Sequence, residues 1–152
     1  MNSKATFIDT NIFMYARGKA HPYKDYCSQI ILSIAKGEFL ESYGSPVIDV
    51  EVFQEILYRY ALIGRWDIGI SVCQDIALLG LEVIPVDFSD ISRTLELAKA
   101  YGKEKVRPRD LIHAAVMLNH GIERILSTDK HFDLIREIKR VDPKKIRIKL
   151  ES

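Results

Sequence analysis

Thr6-Phe7-Ile8-Asp9-Thr10-Asn11-Ile12-Phe13 is the stretch from which the fold is read. Ala5 to Ile8 is a short apolar run with a β-branched and an aromatic residue, the pattern of a strand buried on both faces of a parallel sheet. It stops at three small polar residues, Asp9, Thr10 and Asn11, before apolar character returns with Ile12, Phe13 and Met14. A strand that runs out into a carboxylate sets that charge at the carboxyl edge of the sheet, where open α/β folds bind ligands. The same residue can also cap a short helix beginning near Thr10.

Outward from this strand, the chain alternates. His21 to Lys36 is predicted helical, with Pro22 near its first turn and Gly37 after its end. Glu38 to Ile48 is broken by Gly44 and Pro46, with a second strand around Val47-Ile48. Asp49 reads as the N-cap of a helix to about Leu62, and Gly64 lies beyond its end. Phe53, Ile56, Leu57, Tyr60 and Ala61 give that helix its buried face. Trp66 to Leu79 is predicted as a helix, Leu81 to Val86 as a strand and Ser89 to Tyr101 as a helix stopped by Gly102. Pro108 opens a helix through Asn119, and Ile125-Leu126-Ser127 is a strand ending in Thr128-Asp129. A helical turn near Phe132 to Ile135 and a final strand within Ile146 to Leu150 complete the pattern. Strands alternating with helices predict a parallel sheet with helices on both faces.

The 152 residues suit one domain, 1–152, with a substantial core. A formal net charge of +1 leaves any affinity for nucleic acid to local patches. Cys27 and Cys73 form no CxxC pair and read as buried free thiols, which fits a reducing cytoplasm and excludes a cysteine zinc site. No apolar run reaches the ~18 residues of a membrane span, so a cytoplasmic protein without membrane contact is expected.

Two strands end alike, at Asp9 and at Asp129. If they are neighbours, their carboxylates lie side by side. Asp110 sits two residues after Pro108, in the first turn of its helix, where it also suits the helix dipole. Asp129 equally suits a turn. Glu55 lies mid-helix beside Phe53, Ile56 and Leu57. It belongs either to the site or to a surface ladder with Glu51 and Arg59 at i, i+4 spacing. Crowded carboxylates repel unless a cation lies among them or some are protonated. Oxygen ligands favour hard cations such as Mg²⁺ or Mn²⁺, which acidify water and stabilise charge developing on a phosphodiester.

Four segments in order, Phe7 to Ile12, Val52 to Leu57, Arg109 to Ala115 and Leu126 to Asp133, resemble the PIN domain. This is the metal-dependent ribonuclease fold of VapC-type toxins and their relatives. The resemblance implies a three-layer α/β/α sandwich around a parallel sheet of about five strands. It implies an acidic site of Asp9, Glu55, Asp110 and Asp129 holding one or two Mg²⁺ or Mn²⁺ ions. Thr10, Asn11, Ser127 and Thr128 would orient these groups from behind. It also implies an RNA substrate, a homodimer and, for a toxin, a protein antitoxin. A metal-activated water would attack phosphorus in line, leaving a 5′-phosphate and a 3′-hydroxyl. Glu51 is an alternative to Glu55, and Asp133 is a further candidate, read as a structural cap. His113, three residues after Asp110, reads as packing beside the site.

Arg136 to Lys149 carries seven Lys or Arg against two acidic residues, and Lys103, Lys105 and Arg107 precede Pro108. Both segments are candidate phosphate contacts, or simply solvated surface. Neither carries an aromatic platform for a base. The alternatives to a toxin endoribonuclease are a non-catalytic PIN module binding RNA or protein and a free-standing RNA-processing nuclease. A phosphatase on a similar sheet would want a second Asp two residues after Asp9, where this chain has Asn11.

Overall fold

A computed structural model of the chain describes residues 5–146. The Thr6–Ile8 run forms β1, all three residues buried, and Phe7 and Ile8 are wholly excluded from solvent. The remaining strands are β2 (Pro46–Asp49), β3 (Glu82–Ile84), β4 (Arg124–Leu126) and β5 (Lys139–Val141). They form one sheet in the order β3-β2-β1-β4-β5, and every pairing is parallel. Central strands are apolar because both faces are covered. The two edges carry charge, with Glu82 on β3 and Lys139 and Arg140 on β5, which discourages pairing with other chains.

The helices are α1 (Thr10–Arg17), α2 (Lys24–Ala35), α3 (Phe39–Tyr43), α4 (Glu51–Leu62), α5 (Trp66–Ala77), α6 (Phe88–Tyr101) and α7 (Pro108–Asn119). Right-handed crossovers from β1 to β2 and from β2 to β3 put α1, α2, α4 and α5 on one face. The return from β3 to β4 runs the other way and lays α6 and α7 on the opposite face. Contacts of α1 with α2 and α4, of α4 with α5 and of α6 with α7 follow this division. The predicted three-layer α/β/α architecture is the observed one. Its core joins Phe7, Ile48 and Leu126 of the sheet to Ile12, Ile56 and Met117 of the helices.

Helix ends follow the sequence signals. Pro108 stands at the first position of α7, and Gly64 and Gly121 turn the chain after α4 and α7 with φ of +70° and +68°. The α6 helix starts one residue earlier than predicted, at Phe88, inside a capping box of Asp87 and Asp90. A helix does begin at Thr10 with Asp9 as its cap, the alternative that the sequence left open. Three expectations need correction. Phe39–Tyr43 forms a short helix within the broken stretch before β2. Asp49 caps nothing: it is the last residue of β2, and Val50 stands at the N-terminus of α4 without a side-chain cap. The fifth place in the sheet is taken by Lys139–Val141, inside the basic tail, because its backbone pairs with β4. The strand expected within Ile146 to Leu150 falls, after Ile146, outside the described residues. Both cysteines are free; Cys27 is buried, its thiol pushed up to about 12 by burial, but Cys73 is only half-buried. Among the described residues no helix is long and apolar enough to cross a membrane.

Candidate active site

In this strand order the connection leaving β1 runs to one side of the sheet and the connection leaving β4 to the other. The carboxyl ends of these paired neighbours therefore frame the crevice at the switch point. Asp9 follows β1 directly, and Asp129 lies three residues beyond β4. The first turn of α7 brings Asp110 to the same place, and the second turn of α4 brings Glu55. All four carboxylates line one pocket of about 30 Å³ with Thr10, Asn11, Met14, Arg59, Arg107 and Arg109. That volume suits a water or a small ion.

Asp9 is held on all sides. Its Oδ1 accepts the Thr10 backbone N–H at 2.8 Å, and its Oδ2 accepts Ser127 Oγ at 2.6 Å and Asn11 Nδ2 at 3.0 Å. Ser127 Oγ also accepts the Asp129 N–H at 3.0 Å, so one hydroxyl ties the ends of β1 and β4 together. Of the four residues expected to orient the site, Asn11 and Ser127 act through their side chains. Thr10 acts through its main-chain N–H, as does Thr128, whose N–H reaches Asn11 Oδ1 at 3.4 Å. The Oδ1 of Asp129 accepts both the N–H and the ring Nδ1 of His131.

Burial pushes the Asp9 carboxyl up to about 6, against the pull of His113 and the Ser127 hydroxyl. Asp110 is pushed up to about 7, by burial first and then by the charges of Asp9 and Asp129. Its Oδ2 is buried with no hydrogen-bond partner among the described residues. A buried carboxylate oxygen aimed into a polar pocket without a donor is costly unless protonated or bound to a cation.

Glu55 is built differently. It is 5% exposed, which rules out a solvated surface ladder with Glu51 and Arg59. Its Oε1 lies 2.5 Å from His113 Nε2, while His113 Nδ1 lies 2.7 Å from Asp49 Oδ2. His113 is wholly buried on α7 and packs against the Phe7 ring at a centroid distance of 5.1 Å. Burial alone would lower its pKa, but Asp49 and Glu55 together hold it well above the ordinary histidine value. The ring is clamped between two carboxylates, an arrangement that favours its protonated form. Burial alone would raise Glu55, yet the His113 hydrogen bond and charge, helped by Arg109, hold its carboxyl below the usual value. Arg109 Nε stands 3.6 Å from Glu55 Oε2.

The donor set fits a hard divalent cation. One oxygen each of Asp9 and Glu55 and a His113 nitrogen lie within 4.8 Å of one another, yet His113 is a poor ligand because both ring nitrogens already serve carboxylates. Asp110 and Asp129 line the same pocket and add carboxylate oxygens of the kind a hard cation takes. Glu51, half-buried in the first turn of α4, does not line the pocket. Asp133 pairs with Arg140 at 3.0 and 3.2 Å instead. Of the basic loop, Arg107 lines the pocket while Lys103 and Lys105 do not. Sequence reasoning missed Asp49 and Arg109 altogether and read His113 as packing. The i, i+3 spacing of Asp110 and His113 was the available signal, since it puts both on one face of α7.

Residues 6–138 match the family described as PIN domain. A VapC ribonuclease of Mycobacterium bovis is 36% identical over 137 residues, covering 88% of this chain and 97% of that protein. Ribonuclease VapC23 of Mycobacterium tuberculosis is 30% identical over 123 residues, 81% of this chain and 91% of that one. Among solved structures, VapC20 of M. tuberculosis, described as a sarcin-ricin loop cleaving toxin, superposes with a TM-score of 0.70. It is 11% identical and covers 86% of this chain and 95% of that one. VapBC2 of Rickettsia felis, bound to a promoter DNA fragment, gives 0.67 at 21% identity, covering 91% and 98%. The family match begins at the first residue of β1 and ends just before β5, and the relatives align over nearly their whole length. On that basis this chain belongs to the PIN domain family.

Proposed function

We propose that this protein is a metal-dependent endoribonuclease, the toxin half of a toxin–antitoxin pair working in the cytoplasm as a single nuclease unit. The observation that carries the reading is the convergence of Asp9, Glu55, Asp110 and Asp129 on one small pocket, with the Asp110 Oδ2 lacking a donor among the described residues. Asp9, Asp110 and Asp129 would hold Mg²⁺ or Mn²⁺, with Glu55 as the fourth carboxylate of the site. When bound, such a cation supplies Lewis-acid stabilisation of a phosphodiester and makes water more acidic at neutral pH. Ser127 and Asn11 keep Asp9 turned into the pocket, and His113 keeps Glu55 there. Arg59, Arg107 and Arg109 line the same pocket and offset the repulsion that four carboxylates present to a polyanion.

Relatives named as VapC ribonucleases support RNA as the substrate, and neighbours solved as VapBC complexes support a protein antitoxin as partner. We further propose a homodimer, for which the α4–α5 turn offers apolar area in Leu62, Ile63 and Trp66, each more than half exposed. The test is incubation of single-stranded RNA with wild type and Asp9→Asn, with and without Mg²⁺ or Mn²⁺. Metal-dependent cleavage that Asp9→Asn abolishes is expected. Cleavage in the absence of metal, or undiminished in the variant, refutes the assignment.

A further inference from the structure

The basic tail carries no aromatic residue, yet folding brings it to one. Tyr15 on α1, His21 in the connection to α2 and Tyr23 at the start of α2 form a three-ring cluster. Tyr15 and His21 stack with centroids 4.4 Å apart, and Tyr23 lies 5.6 Å from Tyr15 and 5.9 Å from His21. Lys144 of the tail places its Nζ 4.7 Å from the centre of the Tyr23 ring. His21, Lys144 and Lys145 are exposed, whereas Tyr15 and Tyr23 are half-buried and so held in place.

Two independent routes connect this cluster to the acidic pocket. Tyr15 is four residues after Asn11 on α1, so it sits on the same helix face one turn away. Asn11 itself donates to Asp9. The second route starts at Ser127, whose hydroxyl donates to Asp9 and whose carbonyl accepts Arg140 Nη1 at 3.1 Å. Arg140 Nη1 lies 3.5 Å from Asp142 Oδ2, which in turn accepts the Tyr23 hydroxyl at 3.2 Å. The rings are therefore fixed relative to the pocket by a short helix and by a continuous polar chain.

We propose that Tyr15, His21 and Tyr23 form a base-stacking subsite for single-stranded RNA, seating an unstacked base beside the acidic pocket with Lys144 and Lys145 at the neighbouring phosphates. The substrate class rests on the ribonuclease reading above. Flat rings flanked by cations are what sequence-tolerant binding of single strands uses, because every base offers a π-face while the phosphates take the charge. Two polar groups of the cluster are already engaged: the Tyr23 hydroxyl serves Asp142, and His21 Nδ1 accepts the Tyr23 N–H at 3.2 Å. Through stacking, the subsite adds affinity and register for any base.

The test uses two substitutions at the exposed ring. His21→Phe keeps a flat ring and loses the acceptor for the Tyr23 N–H; His21→Asn keeps an acceptor and loses the ring. Binding of a labelled single-stranded RNA is followed by fluorescence anisotropy in EDTA, so that no cleavage occurs, alongside a strand of equal length lacking its bases. His21→Asn is expected to weaken RNA binding about fivefold, the lower end for stacking on one ring, with His21→Phe within about twofold of wild type. The baseless strand should bind all three proteins alike. Equal RNA affinity for wild type and His21→Asn overturns the proposal, as does an equal loss on the baseless strand. Unchanged RNA binding with weakened self-association assigns the rings to a protein contact and overturns it too. A chain that binds bases through His21 but cuts no RNA with Mn²⁺ keeps this inference and loses the nuclease reading. Cleavage with kcat/KM unaffected by His21→Asn does the reverse.

Discussion

Replacing His113 with leucine would remove the group that bridges two buried carboxylates. The imidazole lies 2.7 Å from Asp49 Oδ2 and 2.5 Å from Glu55 Oε1, and Asp49 Oδ1 is already buried without a hydrogen-bond partner among the described residues. Removing one member of a buried ion pair costs about 3–5 kcal/mol, because the other charge is left uncompensated. Set against a typical total of about 5–15 kcal/mol, this would bring the chain close to unfolding. The loss should depend on pH, with a definite sign. Glu55 is held below its ordinary 4.5, so its contribution is present above that value and is lost as pH falls through its folded pKa. His113 is held well above its ordinary 6.5, so its contribution is complete below that value and is lost only as pH rises through its folded pKa. Both contributions are in force together between 4.5 and 6.5. In His113→Leu the stranded carboxylates can instead take up protons, which relieves them as pH falls. Urea unfolding followed by far-UV circular dichroism should give the full loss near the upper end of that window and a smaller one below its lower end. A loss under about 1 kcal/mol, no larger than an ordinary substitution, would refute the buried clamp. So would a loss that does not change with pH.

The metal-free protein should lose stability as pH rises. Asp9 and Asp110 have folded values of about 6 and about 7, so their favourable contribution is complete below 3.8 and is lost as pH rises through those values. Added Mn²⁺ should then raise the melting temperature little in acid and much more above pH 7, with proton release on binding seen by calorimetry in two buffers. Ser127→Ala removes the hydroxyl that binds both Asp9 Oδ2 and the Asp129 N–H. Mn²⁺ affinity by titration calorimetry should fall about 10- to 100-fold, as when a supporting group behind a ligand is lost. Asp9→Asn should weaken Mn²⁺ more than Glu55→Gln does, since His113 and Arg109 already offset the charge of Glu55. Trp66→Glu, at an exposed apolar position of the proposed dimer contact, tests that contact: light scattering should show a dimer for wild type and a monomer for the variant, with little change in melting temperature.

What the sequence disclosed and what it withheld follow from the range of the interactions. β1, β2, β3 and β4, the larger helices and their glycine and proline boundaries depend on local pattern, and they lie where the pattern puts them. β5 has no such pattern: Lys139 and Arg140 are there because backbone pairing with β4 admits charge at an edge. Asp9, Asp110 and Asp129 stand at element ends, where chain direction alone aims them at the carboxyl edge. Asp49 looked like a helix cap because it is an aspartate just before a helix. Its actual partner, His113, is 64 residues away, and nothing local announces it. Arg59 and Glu55 made the same surface-ladder pattern that exposed helices show, and only the packing of α4 against the rest distinguished a buried carboxylate from a solvated one.

The pocket has two electrostatic halves. On one side Asp49, His113, Glu55 and Arg109 alternate in sign, so this half is neutralised by the chain itself and serves as a rigid wall. On the other side Asp9 and Asp110 are buried with only hydrogen bonds, or none, and both are driven towards neutrality by burial. Had the chain supplied a lysine or arginine against Asp110 as well, the fold would lose the repulsion but also the vacant negative charge on which a divalent cation depends. His113 instead gives both ring nitrogens to Asp49 and Glu55, and it reaches Asp9 and Asp110 only through the longer-range pull of its charge. It fixes the glutamate in place and leaves the uncompensated carboxylates on the β1–β4 side, where the arginines around the pocket can admit a phosphodiester.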